Sequence, residues 1–221
     1  MSLSTQLTEK RDANAANLPP EVLAIMSDAT LNLKLSGIID SAPKAGDKLA
    51  AFSLTNPLGV TRHLSELLVN GPVVVTFYRG SWCPYCNLAL RAYQQHLSEF
   101  KQLGATFVAI TPELPDMSLS TAEKNELEFD VLSDVNAEYA KALGLVFSLP
   151  DSIRDLYQKF GVEVEKHNGA DQFDFPLAAT FVVAKDGTIV KAFVDADYTY
   201  RLDPEDIISS LKELIKSAVG I

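Results

Sequence analysis

Short apolar runs alternate with stretches of helical spacing along the middle of the chain. The runs "PVVVTFY" from Pro72, "ATFVAITPE" from Ala105 and "DVLSD" from Asp130 are rich in β-branched and aromatic residues, which predicts buried strands. After the first run, apolar residues recur about every 3.6 positions up to Leu103, which predicts one helix ending near Gly104. Strands connected through helices run parallel, so these strands are expected to lie parallel in one sheet.

The second half of the chain predicts further helices and one hairpin. Helices are predicted in "SLSTAEKNELEF", with serine and threonine caps, in "NAEYAKALG", closed by Gly144, and in "SLPDSIRDLYQKFG". The segment "ATFVVAKDGTIVKAFVD" is predicted to be a β-hairpin that turns at Asp186 and Gly187. A last helix follows, with Asp203 as its N-cap and Pro204 at its first position. Together these elements predict an α/β fold with a mixed central sheet flanked by helices.

Residues 1–44 are predicted to form a helical arm in front of a domain that spans residues 45–221. Pro19 and Pro20 suit the entry to a helix, and an apolar stripe follows them. The stripe consists of Val22, Ile25, Met26, Ala29, Leu33 and Leu35. Because the arm is too short to form a core of its own, it is expected to pack either on its own domain or on a partner subunit in a homodimer.

Charge and composition restrict the partners and the compartment. The 221 residues carry a formal net charge of −10. Nucleic acid and anionic membranes need a basic face and are therefore not expected partners. No apolar run reaches the roughly 18 residues that span a bilayer. The first residues also lack the apolar stretch of a signal peptide, so we expect a cytoplasmic protein in a reducing compartment, where structural disulfides are rare.

The segment "FYRGSWCPYC" holds the two cysteines of the chain, Cys83 and Cys86, where the first buried strand meets the next helix. Structural zinc takes four ligands, usually as two close pairs. A second pair is missing and the three histidines have no ligand-like spacing, so neither a metal nor a cofactor is expected. Two buried structural thiols are a second alternative.

A redox pair is the third alternative, and we favour it. Pro84 suits the first turn of a helix, which makes Cys83 the cap residue and predicts that it is exposed. Unpaired backbone N–H groups and the helix dipole would stabilise a thiolate there and lower its pKa from about 8.5. Cys86 lies one turn further on, where it can close a disulfide with Cys83.

Four segments of the chain resemble a known family. They are "FYRGSWCPYCNLALRAYQ", "LGATFVAITPE", "SLSTAEKNELEFDVLSD" and "LAATFVVAKDGTIVKAFVDADYTYRLDPEDI". With them, residues 45–215 resemble the peroxiredoxin-like branch of the alkyl hydroperoxide reductase/thiol-specific antioxidant (AhpC/TSA) family. The resemblance implies a thioredoxin-like fold and the reduction of hydroperoxides through a cysteine sulfenic acid. It also implies that electrons come from a dithiol such as thioredoxin.

Two assignments of the attacking cysteine stay open. Peroxiredoxins carry P-x-x-x-T-x-x-C around the cysteine that attacks peroxide, and the resemblance therefore implies Cys86, with Arg79 at the proline position and Cys83 at the threonine position. The C-x-x-C motif of thioredoxin-like enzymes instead favours Cys83, as the cap residue. We favour Cys83 over Cys86 and expect a Cys83–Cys86 disulfide as the oxidised form.

Five further residues are candidates for supporting roles. Arg79 either steadies a thiolate or peroxide oxygen as a charged donor or caps loop carbonyls. Trp82 forms a lid or docking surface, or else packs in the core. Tyr78 is a core residue whose hydroxyl is within reach of the site, and Thr180 either lines the site or is an ordinary strand residue. Pro176 is the candidate for the cis-proline that thioredoxin-fold enzymes place opposite the C-x-x-C motif.

Three functions are compatible with these residues. The first is a thiol-dependent peroxidase that reduces hydrogen peroxide or organic hydroperoxides and is recycled by thioredoxin or a similar dithiol. The second is a general dithiol–disulfide oxidoreductase, which shares the cysteines but attacks disulfides. The third is a non-enzymatic interaction module on the same fold.

Overall fold

A mixed sheet of seven strands is the frame of the computed structural model, which describes residues 1–219. The strand order is β2-β1-β5-β4-β3-β8-β9, and β6 and β7 form a separate two-stranded sheet. The strands are β1 Ser53–Thr55, β2 Thr61–His63, β3 Val73–Phe77, β4 Thr106–Thr111, β5 Asp130–Ser133, β6 Val146–Ser148, β7 Asp174–Pro176, β8 Ala178–Val183 and β9 Ile189–Asp195. The mixed α/β architecture predicted from the sequence is confirmed.

Ten α-helices surround the sheets in the described part of the chain. They are α1 Leu3–Asn17, α2 Pro20–Leu35, α3 Leu64–Asn70, α4 Pro84–Gln95, α5 Leu97–Gln102, α6 Pro115–Lys124, α7 Glu138–Ala142, α8 Asp151–Lys159, α9 Val164–Asn168 and α10 Pro204–Val219. Within residues 1–219, no helix is both long and apolar enough to cross a membrane.

The central strand β3 is buried on both faces, as its continuous apolar run predicts. It pairs parallel with β4 and antiparallel with β8. Val74 belongs to the core between the sheet and helices α4, α5 and α10, whereas Val73 and Val75 belong to the core on the opposite face. The alternation follows from the two-residue period of a strand. The sheet therefore holds the end of β3, from which the cysteine segment starts, between two packed layers.

Several predicted elements have the expected bounds. The strands β3, β4 and β5 run parallel to one another, as predicted, and β8 and β9 form the predicted hairpin, with Gly187 at a φ of 86° in its turn. Gly144 follows α7 at a φ of 68°. Pro204 is the first residue of α10, and the Asp203 carboxylate accepts a hydrogen bond from the Glu205 amide, as a cap does.

Other elements differ from their prediction. The single helix expected up to Gly104 is two helices, α4 and α5, separated at His96, where the sequence has neither glycine nor proline to mark a break. The helix α6 starts at Pro115 rather than at a serine cap. The Ser118 hydroxyl instead hydrogen-bonds to Ser133 and to the Pro115 carbonyl, inside the fold. No sequence pattern predicted α3, α9 or the β6–β7 sheet, all of which are short.

The N-terminal arm lies on its own domain. In α1, Leu3 and Leu7 are buried in the same core as α4 and α10. In α2 no residue is fully buried. Four residues of the apolar stripe pack on the cluster that includes α8 and Phe175, whereas Leu33 is half-buried outside that cluster and Leu35 is exposed. The division of the chain at residues 44 and 45 stays a prediction.

The burial of α1 predicts unequal effects of two leucine truncations. We expect Leu7→Ala, at a site that is 2% exposed, to lower the free energy of unfolding by about 2–5 kcal/mol, because it leaves a cavity in the core. Leu35→Ala, at a site that is 74% exposed, is the control and should change it by less than about 0.5 kcal/mol. Urea unfolding of the two variants measures this, and equal effects would mean that α1 contributes nothing to the core.

Candidate active site

The two cysteines lie at the start of α4. Cys83 is the N-cap, Pro84 is the first helical residue and Cys86 lies in the first turn, as the sequence predicts. The Cys83 amide also closes a turn on the Gly80 carbonyl, at 3.1 Å. Both cysteines are unbridged and 0% exposed. The expectation that Cys83 is exposed is therefore wrong: the Arg79 side chain contacts its sulfur, and aromatic side chains pack around that arginine.

Each cysteine sulfur accepts a hydrogen bond from one buried arginine. Arg79 Nη2 lies 3.2 Å from Cys83 Sγ, and Arg201 Nη2 lies 3.2 Å from Cys86 Sγ. Arg201 is held in place because its Nη1 donates to the backbone carbonyls of Tyr198 and Tyr200. Sequence reasoning missed Arg201, although it lies in the distinctive segment "DYTYRLDPED". The two arginines bring two positive charges to two sulfurs inside the protein.

The two thiols have opposite pKa shifts. Burial disfavours the thiolate of Cys83, but the hydrogen bond from Cys86 and the charges of Arg79 and Arg201 outweigh burial and hold the pKa of Cys83 well below its usual value. Burial raises the pKa of Cys86 well above its usual value, and the hydrogen bond and charge of Cys83 add to this effect. These opposite shifts favour the thiolate form on Cys83 and the protonated form on Cys86.

Arg79 is surrounded by aromatic side chains. Its Nη1 donates to the Tyr157 hydroxyl at 2.8 Å, and its guanidinium lies 3.8 Å from the centre of the Tyr198 ring and 5.1 Å from that of Trp82. Of the two roles considered for Arg79, the geometry agrees with that of a donor to the thiolate. Trp82 is partly buried and packs edge-on against Tyr157 and Phe175.

The other three predicted site residues make their hydrogen bonds and strand pairs with residues other than the cysteines. The Tyr78 hydroxyl lies 3.4 Å from the Glu113 carboxylate. The Thr180 hydroxyl pairs with that of Thr76 across β3 and β8, at 2.9 Å. Pro176 ends β7, and no peptide bond among residues 1–219 is cis. Pro176 is therefore not a cis-proline in this structure. It pairs with Val146 in the small sheet.

Glu113 is a second residue that sequence reasoning missed. Its carboxylate is completely buried and accepts hydrogen bonds from the Ser81 amide at 2.9 Å, the Ser81 hydroxyl at 2.8 Å and His167 Nδ1 at 2.8 Å. Thr121 donates to its other oxygen, at 3.3 Å. These bonds fasten the loop that precedes Cys83 to the end of β4. The only local signal was the glutamate that follows the predicted strand.

Residues 45–192 match the family model described as the AhpC/TSA family. The chain belongs to the AhpC/TSA family. Relatives carry peroxiredoxin names: Peroxiredoxin Bcp of Escherichia coli is 26% identical over 152 residues, which are 69% of this chain and 86% of that protein. A Mycobacterium tuberculosis protein named as a peroxiredoxin is 31% identical over 102 residues, which are 46% of this chain. The match spans 66% of that relative, just under two thirds of its length.

Solved structures agree with the thioredoxin-like fold of the AhpC/TSA family. Peroxidoxin BcpB from Mycobacterium tuberculosis has a TM-score of 0.60 and 23% identity, covering 77% of this chain and 97% of that one. Reduced Prx3 from Vibrio vulnificus has a TM-score of 0.61 and 19% identity, covering 77% of this chain and 99% of that one. The predicted fold is confirmed by this likeness.

One departure from the AhpC/TSA pattern is visible in the geometry. Counted back from Cys86, the proline and threonine positions of P-x-x-x-T-x-x-C hold Arg79 and Cys83. Counted back from Cys83, they hold Thr76 and Gly80, which fits no better. In the structure Arg79 and Cys83 are hydrogen-bonded to each other, at 3.2 Å. The chain therefore has a cation and a second thiol at the two positions that precede Cys86 in the motif.

The arginine contact predicts the ionisation of Cys83. In the reduced protein, ultraviolet absorbance of thiolate should rise with one midpoint well below the value of about 8.5 of an ordinary thiol. Arg79→Gln should move this midpoint to higher pH, because the variant loses the charge and the hydrogen bond that favour the thiolate. Arg62→Gln, which removes an arginine paired with Asp130, is the control. Loss of the low midpoint in Cys86→Ser rather than in Cys83→Ser would contradict the assignment.

Proposed function

We propose that the protein is a thiol-dependent peroxidase that reduces hydroperoxides. The observation that carries this proposal is the contact of Arg79 Nη2 with the Cys83 sulfur, one helical turn from Cys86, and the lowered pKa of Cys83 supports it. Thiolate is the nucleophilic form of cysteine, and a guanidinium beside it can also hold a peroxide oxygen. Membership of the AhpC/TSA family and the peroxiredoxin names of the relatives support the same reaction.

In the first step the Cys83 thiolate attacks the nearer oxygen of ROOH. A sulfur–oxygen bond forms and the oxygen–oxygen bond breaks, which leaves Cys83 as a sulfenic acid and releases RO⁻. The Cys86 thiol supplies the proton that turns RO⁻ into ROH. Cys86 can lose this proton because the negative charge on Cys83, which is one cause of the raised pKa of Cys86, is no longer present. Arg201 still favours the thiolate of Cys86.

In the second step the Cys86 thiolate attacks the sulfur of the sulfenic acid. The Cys83–Cys86 disulfide forms, and hydroxide leaves and takes a proton from solvent to give water. An external dithiol of the thioredoxin type then reduces the disulfide by exchange and becomes a disulfide itself. The sum is one hydroperoxide and one external dithiol converted into one alcohol (or water), one water and one external disulfide.

A general dithiol–disulfide oxidoreductase is the second candidate. The position of Cys83 at a helix N-terminus within a C-x-x-C motif favours it. The complete burial of both sulfurs favours the peroxidase instead, because a peroxide is a far smaller reactant than a disulfide in another protein.

Stopped-flow oxidation tests the proposal. Fluorescence of Trp82, the single tryptophan, should report rapid oxidation of the reduced protein by hydrogen peroxide and by cumene hydroperoxide. In Cys86→Ser, a sulfenic acid should be trapped on Cys83, and Cys83→Ser should react slowly, because it lacks the low-pKa thiol. Oxidation of the wild type no faster than that of a free thiol at the same pH would reject the peroxidase. A sulfenic acid in Cys83→Ser alone would keep the peroxidase but assign the attack to Cys86.

A further inference from the structure

A cavity of about 430 Å³ lies between α2, the β6–α8 segment and Arg79. Its size falls in the range of about 300–1,000 Å³ that is usual for small-molecule sites. Its walls are mainly apolar side chains, from α2 on one side and from the segment between β6 and α8 on the other. They include Ile25, Met26, Ala29, Leu33, Leu149 and Ile153. Burial of an apolar molecule against these side chains would therefore be energetically favourable.

Arg79 connects this cavity with the thiolate. The arginine lines the cavity together with Tyr157 and Tyr198, and its Nη2 is the group that hydrogen-bonds Cys83. Arg79 is only 4% exposed, and its Nε has no hydrogen-bond acceptor among the described residues. That nitrogen is itself fully buried, so it lies behind the cavity wall. A molecule in the cavity would contact Arg79, the residue that hydrogen-bonds the Cys83 sulfur.

The apolar wall formed by α2 lies outside the part of the chain that matches the family model. The family match covers residues 45–192, whereas α2 spans Pro20–Leu35. The stripe of α2 that lines the cavity is only partly buried, so it keeps apolar surface available to a ligand. The arm therefore contributes directly to the surroundings of Arg79.

We infer that this cavity receives the apolar body of an organic hydroperoxide, whose oxygen atoms meet Arg79, and that α2 sets the size of the molecule admitted. The inference rests on the proposed peroxidase function. Hydrogen peroxide has no apolar body and gains nothing from these walls, so the cavity favours the bulkier peroxide. In the reaction itself the steps and their balance are those given above, with R an apolar group.

Two phenylalanine substitutions on the same helix test the inference. Ala29→Phe fills the cavity, whereas Ala24→Phe places the same side chain at an exposed position of α2 outside it. The measured quantity is the ratio of kcat/KM for cumene hydroperoxide to kcat/KM for hydrogen peroxide. We expect the ratio to fall at least about tenfold in Ala29→Phe and to stay at the wild-type value in Ala24→Phe. An unchanged ratio in Ala29→Phe, or an equal fall in both variants, would overturn the inference.

A binding measurement separates this inference from the proposed function. The probe is 2-phenyl-2-propanol, the alcohol formed from cumene hydroperoxide, and the signal is the fluorescence of Trp82, which packs on the cavity residue Tyr157. If the wild type reduces no peroxide, the proposed function fails, and alcohol binding alone decides whether the cavity takes apolar ligands. The site is supported if the alcohol binds to the wild type and to Ala24→Phe and binds more weakly to Ala29→Phe. The site is rejected if the alcohol does not bind, or if it binds equally to all three proteins.

Ala29→Leu, which fills less of the cavity, replaces Ala29→Phe if circular dichroism shows that Ala29→Phe is unfolded.

Discussion

The hydrogen bond from Arg79 to the Cys83 sulfur pairs a buried cation with a buried thiol of lowered pKa, and the site is organised around it. Burial disfavours both a thiolate and a guanidinium unless each is paired. At 3.2 Å, with Cys83 fully buried, each group provides the partner that the other needs. Arg201 donates a hydrogen bond to the second sulfur, that of Cys86, at the same distance of 3.2 Å. The pKa of Cys83 is lowered and that of Cys86 is raised, which makes the two thiols chemically unequal.

Much of the surrounding structure holds these charged groups in place. Tyr157 of α8 and Tyr198, before α10, orient Arg79, and backbone carbonyls orient Arg201. The buried carboxylate of Glu113 fastens the loop that leads to Cys83. The N-terminal arm adds to the same region, since Asn14 of α1 donates to the Tyr85 hydroxyl in α4. Segments from all parts of the chain thus converge on two residues of one helical turn.

Local sequence patterns were sufficient to predict several strands and one hairpin. The continuous apolar runs predicted β3, β4 and β5, and the Asp186–Gly187 turn predicted the β8–β9 hairpin. The break at His96 and the start of α6 at Pro115 were mispredicted. In α6 the serine expected to cap the helix bonds instead with Ser133, 15 positions away, and such a tertiary partner has no local signature.

The sequence by itself determined the position of the two cysteines at a strand-to-helix junction, because Pro84 restricts the backbone and fixes Cys83 as the cap. The tertiary structure alone decided that Cys83 is buried, that Arg79 bonds its sulfur rather than loop carbonyls, and that Arg201 meets Cys86 across 115 positions of sequence. The physical reason is the range of the interactions. Dihedral restrictions and helix caps act over a few residues, whereas burial and charge pairing depend on which distant segments the sheet brings together.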